Sequence, residues 1–144
     1  MNLDTLKKLM IEKGINEQRT KEFADGYKEI EPFKYNDVIN DKGFKYKNFF
    51  ADAYSKYGLY IFYLQKSNEI IYIGEACSEP FSKRLSQHFN ESHGGLRVKK
   101  KDKITIIVDS EILILYDKHS AENKEIHFDE DLLIGVFRPE LNDR

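Results

Sequence analysis

Two tyrosines and a pair of basic side chains have the types and spacing that phosphate chemistry needs. Tyr60 and Tyr72 lie in two apolar runs separated by a short polar turn, and Arg84 and His88 are four residues apart in the next segment. On a helix, residues four apart project from neighbouring turns of one face. A guanidinium there can bind a phosphate, and an imidazole can accept or relay a proton.

Glu130 adds a carboxylate near the end of the chain. Apolar residues follow it at three, four and seven positions, so on a helix Glu130 shares the face of an apolar stripe and points toward a sheet. A single Mg²⁺ that keeps most of its shell as water and phosphate oxygens would suit one such carboxylate. The alternative is a solvated carboxylate at the edge of the apolar face.

Apolar and polar segments alternate in the way that a small sheet flanked by helices requires. The predicted strands are residues 58–64, 70–74 and 104–109, and the predicted helices are residues 80–92 and 120–137. Residues 112–116 form either a fourth strand or an extension. The pattern predicts an α/β (α+β) fold with a small, mostly antiparallel three-stranded sheet.

The first fifty residues are predicted to form a helical N-terminal extension. Leucines with helical spacing precede Gly14, and Asn16 can cap a second helix. Residues 31–57 have no sustained period and receive no assignment. The predicted organisation is an extension over residues 1–50 and a core over 57–142, in one compact domain.

Length and composition exclude several classes of protein. With 144 residues and 40% hydrophobic content, the chain can build one ordinary core. Its single cysteine, Cys77, excludes an intramolecular disulfide framework and a cysteine zinc site. No apolar stretch approaches the length of a membrane span or a signal peptide. We therefore expect a cytoplasmic protein in a reducing compartment, without membrane contact.

Charge is distributed unevenly. The net charge is −2, but residues 51–103 carry +3 and residues 104–144 carry −6. A basic run could neutralise several phosphates of a nucleic acid, although it could equally be a solvated loop. Its candidate nucleic-acid-binding residues are Arg97, Lys99, Lys100, Lys101 and Lys103.

The order of these elements resembles the GIY-YIG nuclease family over about residues 57–142. The matching elements are Gly58-Leu59-Tyr60, Tyr72-Ile73-Gly74, Arg84 to His88, Glu130, and the closing segment Phe137 to Asn142. Leu59 replaces the isoleucine of the family name. Each residue alone is more often structural, as strand tyrosines, turn glycines and surface pairs are common. Their joint occurrence favours a nuclease site.

The resemblance implies a role for each residue. Tyr60 would be the general base or would orient the attacking water, with Tyr72 beside it, and Arg84 would lower the pKa of Tyr60. Arg84 and His88 would act on the phosphate. Glu130 would hold one Mg²⁺ or Mn²⁺ ion per active site. Gly58, Gly74 and Asn142 would support the site, Asn142 by bonding the backbone or the surrounding side chains.

The expected function is metal-dependent hydrolysis of DNA, leaving 5′-phosphate and 3′-hydroxyl ends. The compact chain is most similar to the restriction-type branch of the family, and a homodimer would suit cleavage of a palindrome. The alternative is a nucleic-acid-binding module that keeps the fold without catalysis. His127 is expected at the surface, and Glu75, which could reach the cleft, has no assigned role.

Overall fold

The structure, a computed structural model, describes residues 1–39, 46–89, 110–117 and 124–142. These residues form five α-helices, four strands and two short 3₁₀ turns. In chain order the elements are α1 (Leu3–Glu12), α2 (Glu17–Ala24), β1 (Lys28–Lys34), α3 (Tyr35–Ile39), the turns Tyr46–Asn48 and Ala51–Ala53, β2 (Gly58–Leu64), β3 (Ile70–Ala76), α4 (Phe81–Phe89), β4 (Ser110–Tyr116) and α5 (Lys124–Phe137).

The four strands form one antiparallel sheet in the order β1-β4-β2-β3. The predicted mixed fold with an antiparallel sheet is confirmed, with four described strands where three were predicted. The strand β1 lies within the segment for which a helical extension was predicted. Most of its side chains are exposed and it contains Pro32, as is typical of an edge strand. Such a strand lacks the apolar alternation by which strands are recognised.

The strand β4 lies at the centre of the sheet, between β1 and β2. It includes residues 112–116, which the sequence assigned to a fourth strand or an extension. The strand predicted at residues 104–109 lies outside the described residues, as do the last residues of the helix predicted at 80–92 and the first of the helix predicted at 120–137. The described parts of those helices are α4 and α5.

The sheet is the middle of three layers, because β2 is buried on both faces. Leu59 and Ile61 face α1, α2 and α5, on what we call the α1 face. Tyr60 and Phe62 face α3 and α4, on the α4 face. A strand covered on both sides has a continuous apolar sequence, which explains the uninterrupted run in β2.

The N-terminal helices pack into the same core as the sheet. Asn16 accepts a hydrogen bond from the Arg19 backbone N–H at 2.7 Å, so it caps α2 as its position predicted. Leu6, Met10 and Phe23 are fully buried in the cluster on the α1 face. None of the described helices is both long enough and apolar enough to cross a membrane.

Candidate active site

The hairpin of β2 and β3 places Tyr60 directly over Gly74. The two residues are paired across the ladder, and a Cβ built on Gly74 would lie 2.2 Å from Cζ of Tyr60. A Cβ on Gly58 would lie 2.0 Å from the carbonyl oxygen of Leu115. Both distances are far inside van der Waals contact. Only glycine fits at these two positions, because the Tyr60 ring lies against Gly74 and the Leu115 carbonyl lies against Gly58.

A hydrogen bond between Tyr60 and His88 lies at the centre of the site. The Tyr60 hydroxyl is 2.7 Å from Nε2 of His88, and both side chains are buried. His88 lies in the last turn of α4, where the Tyr35 hydroxyl donates to its carbonyl oxygen at 2.8 Å. This bond satisfies a carbonyl that the helix itself leaves unpaired. The Tyr72 ring packs edge-on against His88, with centroids 5.4 Å apart.

Burial has the largest effect on the acidity of Tyr60. It raises the pKa of the Tyr60 hydroxyl well above its usual range, Tyr72 raises that pKa further, and Arg84 lowers it only in part. The expectation that Arg84 would lower the pKa of Tyr60 is therefore wrong in its net result. Tyr60 lies on a strand covered on both faces, and desolvation outweighs the nearby cation. At neutral pH, Tyr60 is a neutral phenol.

His88 is also neutral at neutral pH. Burial first, and then the positive charge of Arg84, lower the pKa of His88 to about 4. Within the described part of the chain, its Nδ1 is buried without a hydrogen-bond partner. Tyr60 and His88 therefore form a neutral pair joined by one hydrogen bond, and Nε2 accepts the Tyr60 proton in the tautomer that carries its ring hydrogen on Nδ1.

Arg84 is held beside this pair by two hydrogen bonds. Its Nε donates to the carbonyl oxygen of Glu75 at 3.2 Å, and its Nη1 donates to Oε1 of Gln87 at 3.2 Å. The charge of Arg84 affects the pKa of both Tyr60 and His88. A phosphate bound by this partly buried guanidinium would lie next to the Tyr60 hydroxyl.

A second group of side chains lies where α5 packs on β3. One ligand atom each of Glu75, His127 and Glu130 lies within 4.8 Å of the others, and Glu130 is only 7% exposed. Nδ1 of His127 is 3.1 Å from Oε2 of Glu75, and this hydrogen bond raises the pKa of His127. The charge of Glu130 raises the pKa of Tyr60. The donor set of two carboxylates and one imidazole fits a divalent cation near Tyr60.

Asn142 holds the outer edge of β3. Its Oδ1 accepts from the Ile73 N–H and its Nδ2 donates to the Ile73 carbonyl, both at 2.9 Å. The Leu141 N–H donates to the Ile71 carbonyl at 3.0 Å. The C-terminal segment thus covers an edge strand and steadies the backbone next to Tyr72 and Gly74.

The structure brings four predicted residues together on the α4 face, while Glu130 comes from α5. These four are Tyr60, Tyr72, Arg84 and His88. The predicted nucleic-acid-binding residues Arg97, Lys99, Lys100, Lys101 and Lys103 lie outside the described residues. Sequence reasoning missed the roles that Glu75 and His127 can have. A signal was present, because His127 and Glu130 are three residues apart on one helix.

One of three comparisons with known proteins finds a match. Neither a search of curated proteins nor a search of solved structures finds a match to this chain. The family model of the GIY-YIG catalytic domain, which is a nuclease domain, matches residues 56–140. The match covers more than half of the chain and includes the hairpin, α4, β4 and α5. On this match, together with the geometry around Tyr60, the chain belongs to the GIY-YIG family.

Proposed function

We propose that this protein is a metal-dependent DNA endonuclease that hydrolyses phosphodiester bonds. The observation that carries the proposal is the 2.7 Å contact between the Tyr60 hydroxyl and Nε2 of His88, beside the cation Arg84. Hydrolysis needs a group to take a proton from water and positive charge to stabilise the phosphoryl oxygens. The two requirements are met by neighbouring side chains.

Tyr60 orients the attacking water and passes its proton onward. The water oxygen bonds to phosphorus, the water proton moves to the Tyr60 oxygen, and the Tyr60 proton moves to Nε2 of His88. The bond from phosphorus to the 3′-oxygen breaks, and that oxygen takes a proton from solvent. The products are a 5′-phosphate and a 3′-hydroxyl. A relay through His88 suits a phenol whose own pKa is raised by burial.

Arg84 binds the phosphate and also adjusts His88. Its charge contributes to the low pKa of His88 in the free protein. A bound phosphate would offset that charge, so the imidazole becomes a better proton acceptor once substrate is present. Glu130 would hold one ion, Mg²⁺ or Mn²⁺, which when bound stabilises negative charge on the phosphate and the leaving oxygen.

The biological setting forms part of the same proposal. By the resemblance of its motifs, the chain would be a restriction-type enzyme of the cytoplasm, and a homodimer would match the two-fold symmetry of a palindromic DNA site. The basic residues from Arg97 to Lys103 would contact the phosphate backbone, and such contacts make binding depend on salt.

Cleavage of supercoiled plasmid by the purified protein tests the proposal. We expect nicking or linearisation with Mg²⁺ or Mn²⁺, and loss of both with a chelator or in Glu130→Gln. Glu69→Gln is the matched control, because Glu69 is an exposed glutamate at the far end of the same hairpin. Cleavage that persists in Glu130→Gln, or in the chelator, would contradict the proposed metal role.

Two observations favour a second function, a nucleic-acid-binding module without catalysis. The pKa of Tyr60 is raised rather than lowered, and residues 104–144 carry a net charge of −6. Neither is what an independent DNA-cutting enzyme needs. Salt-sensitive DNA binding without cleavage under every metal condition would support this alternative.

A further inference from the structure

We infer that Glu75 and His127 join Glu130 as ligands of one divalent cation, and that this mixed set favours Mn²⁺ over Mg²⁺. The inference rests on the proposed function only in placing a cation at Glu130. It adds two ligands and a metal preference that neither the sequence motif nor the family match supplies. One ligand atom of each residue already lies within 4.8 Å of the others.

The distances fit a common ion. Two ligands at about 2.1 Å from one metal are at most about 4.2 Å apart. Ligand atoms within 4.8 Å of one another therefore need side-chain movements of less than about 1 Å to reach that limit. The three residues lie on two regular elements in contact, with Glu75 on β3 and the other two on one face of α5. Regular elements hold a ligand set more firmly than loops do.

The surroundings of His127 have the arrangement of a metal-binding imidazole. Its Nδ1 points at the Glu75 carboxylate, at 3.1 Å, while its Nε2 is 3.4 Å from Oδ2 of Asp131. Metal-binding histidines commonly direct the second ring nitrogen to a carboxylate, which fixes the ring and the tautomer. Asp131 would then orient the ring, and a cation between Nδ1 and Glu75 would replace their direct contact.

Both carboxylates of the cluster are shielded from solvent. Glu130 is 7% exposed, and Glu75 is only partly exposed. Interactions of buried or partly buried charges are screened much less than those of exposed charges, so a cation there is attracted more strongly than at an exposed cluster of acids.

The imidazole nitrogen of His127 determines the preference for Mn²⁺ over Mg²⁺. Mg²⁺ binds oxygen ligands and retains its waters, whereas imidazole nitrogen is a common ligand of transition metals. A site with Glu130 alone would take either ion through one carboxylate. Adding His127 strengthens Mn²⁺ and Co²⁺ binding more than Mg²⁺ binding.

Direct metal binding to the full chain, without nucleic acid, tests the inference. We would titrate Mn²⁺ and Mg²⁺ by calorimetry and follow Co²⁺ by its visible absorption spectrum. For the native chain we expect one site with tighter binding of Mn²⁺ than of Mg²⁺. His127→Ala should weaken Mn²⁺ binding by at least about tenfold, since losing even a partner of a metal ligand costs about 10–100-fold, and should reduce the preference for Mn²⁺ over Mg²⁺. Glu75→Gln should weaken both ions, and Glu69→Gln should change neither.

Two further variants, His127→Asp and Glu130→Gln, keep the test decisive. His127→Asp replaces a nitrogen ligand with oxygen, so it should bind Mg²⁺ more tightly relative to Mn²⁺. The half-exposed position of His127 makes both of its substitutions compatible with folding. A thermal unfolding curve in chelator checks that each variant is folded. Native Mn²⁺ affinity in both His127→Ala and Glu75→Gln, with binding lost in Glu130→Gln, would overturn the three-ligand site. That outcome would leave the proposed nuclease intact.

A chain that binds no divalent cation would remove the premise that the two proposals share. If the native chain binds none of the three ions, the inferred site is wrong. If plasmid cleavage is also absent, the proposed function fails too. If cleavage proceeds without bound metal, only the metal role fails. The binding and cleavage measurements therefore separate the two proposals.

Discussion

Tyr60 and Tyr63 lie three residues apart on β2, on opposite faces of the sheet, and both are fully buried. Tyr63 donates to Oε2 of Glu111 at 2.9 Å, whereas the Tyr60 hydroxyl is 2.7 Å from a neutral imidazole nitrogen of His88. A carboxylate holds the proton on a phenol, because losing it would place two negative charges together. An imidazole nitrogen can accept that proton. The partner therefore makes one tyrosine structural and the other suited to proton transfer.

A second tyrosine on the α1 face follows the pattern of Tyr63. The Tyr27 hydroxyl donates to Oδ2 of the buried Asp129 at 2.8 Å. Burial is the first cause that raises the pKa of Tyr27, Tyr63 and Tyr60 alike. Arg84 lowers the pKa of Tyr60 in part, and the N-terminal ammonium of Met1 donates to the Tyr63 hydroxyl at 2.8 Å, so a cation lies beside both of these tyrosines. Burial and a nearby cation are common to both faces, and the partner of the hydroxyl, a carboxylate or an imidazole, distinguishes them.

The largest expected difference between the faces is in cleavage rate. Tyr60→Phe removes the hydroxyl that orients water and transfers its proton, so we expect the rate to fall by about 10²–10⁴-fold. Tyr63→Phe removes a buried hydroxyl from the same strand and should leave the rate within about threefold, while costing about 1–3 kcal/mol of unfolding free energy. Plasmid cleavage and urea denaturation measure the two effects. Equal rate losses in both variants would show that strand integrity, not the Tyr60 hydroxyl, is being measured.

The second prediction concerns the close contact beneath Tyr60. In Gly74→Ala the new methyl group would lie 2.2 Å from the Tyr60 ring, so the ring must move away from His88. We expect a loss of about 1–3 kcal/mol in unfolding free energy and a large loss of cleavage. Gly135→Ala is the matched control, because a Cβ at this exposed helical position meets nothing within 4 Å. That variant should be stabilised by up to about 1 kcal/mol. Full activity of Gly74→Ala would refute the role of the contact.

The third prediction uses the titration of His88. Its pKa is lowered to about 4 in the folded protein, from 6.5 in the unfolded chain. Between these values the unfolded state binds more protons, so the free energy of unfolding falls as pH decreases. The loss from pH 7 to pH 5 should be about 2 kcal/mol. His88→Phe should flatten this part of the stability profile measured by denaturation. An unchanged profile in that variant would assign the pH dependence to other groups.

The sequence predicted the hairpin, α4 and α5 because each has a long apolar pattern of one period. It missed β1, since an exposed edge strand with Pro32 has no such pattern. Asn16 was recognised as a cap because capping is local. Elements with a characteristic pattern among neighbouring residues could thus be predicted from the sequence, and an element that depends on pairing with a distant strand could not.

In the candidate site, too, local spacing could be predicted and contacts between distant residues could not. The spacing of Arg84 and His88 predicted a common face, and the structure places both beside Tyr60. The contact of His127 with Glu75 joins residues 52 positions apart, which no helical or strand period reveals. Tyr60 is fully buried because β2 is an interior strand and α4 covers its face of the sheet with Phe81 and His88. This burial reversed the expected direction of its pKa shift.

The smallest predicted effect concerns how Asp129 is held on the α1 face. Nη2 of Arg19 lies 3.9 Å from Oδ1 of Asp129, and the Arg19 side chain is 38% exposed. Such pairs contribute about 0–1 kcal/mol, so Arg19→Gln should lower the unfolding free energy by less than about 1 kcal/mol. Tyr27→Phe removes a buried hydrogen bond to the same carboxylate and should cost about 1–3 kcal/mol. Urea denaturation of the two variants shows whether Arg19 or Tyr27 contributes more to the free energy of unfolding through Asp129. An equal or larger loss in Arg19→Gln would mean that the ion pair, rather than the tyrosine, holds Asp129, and the parallel between Tyr27 and Tyr63 would no longer stand.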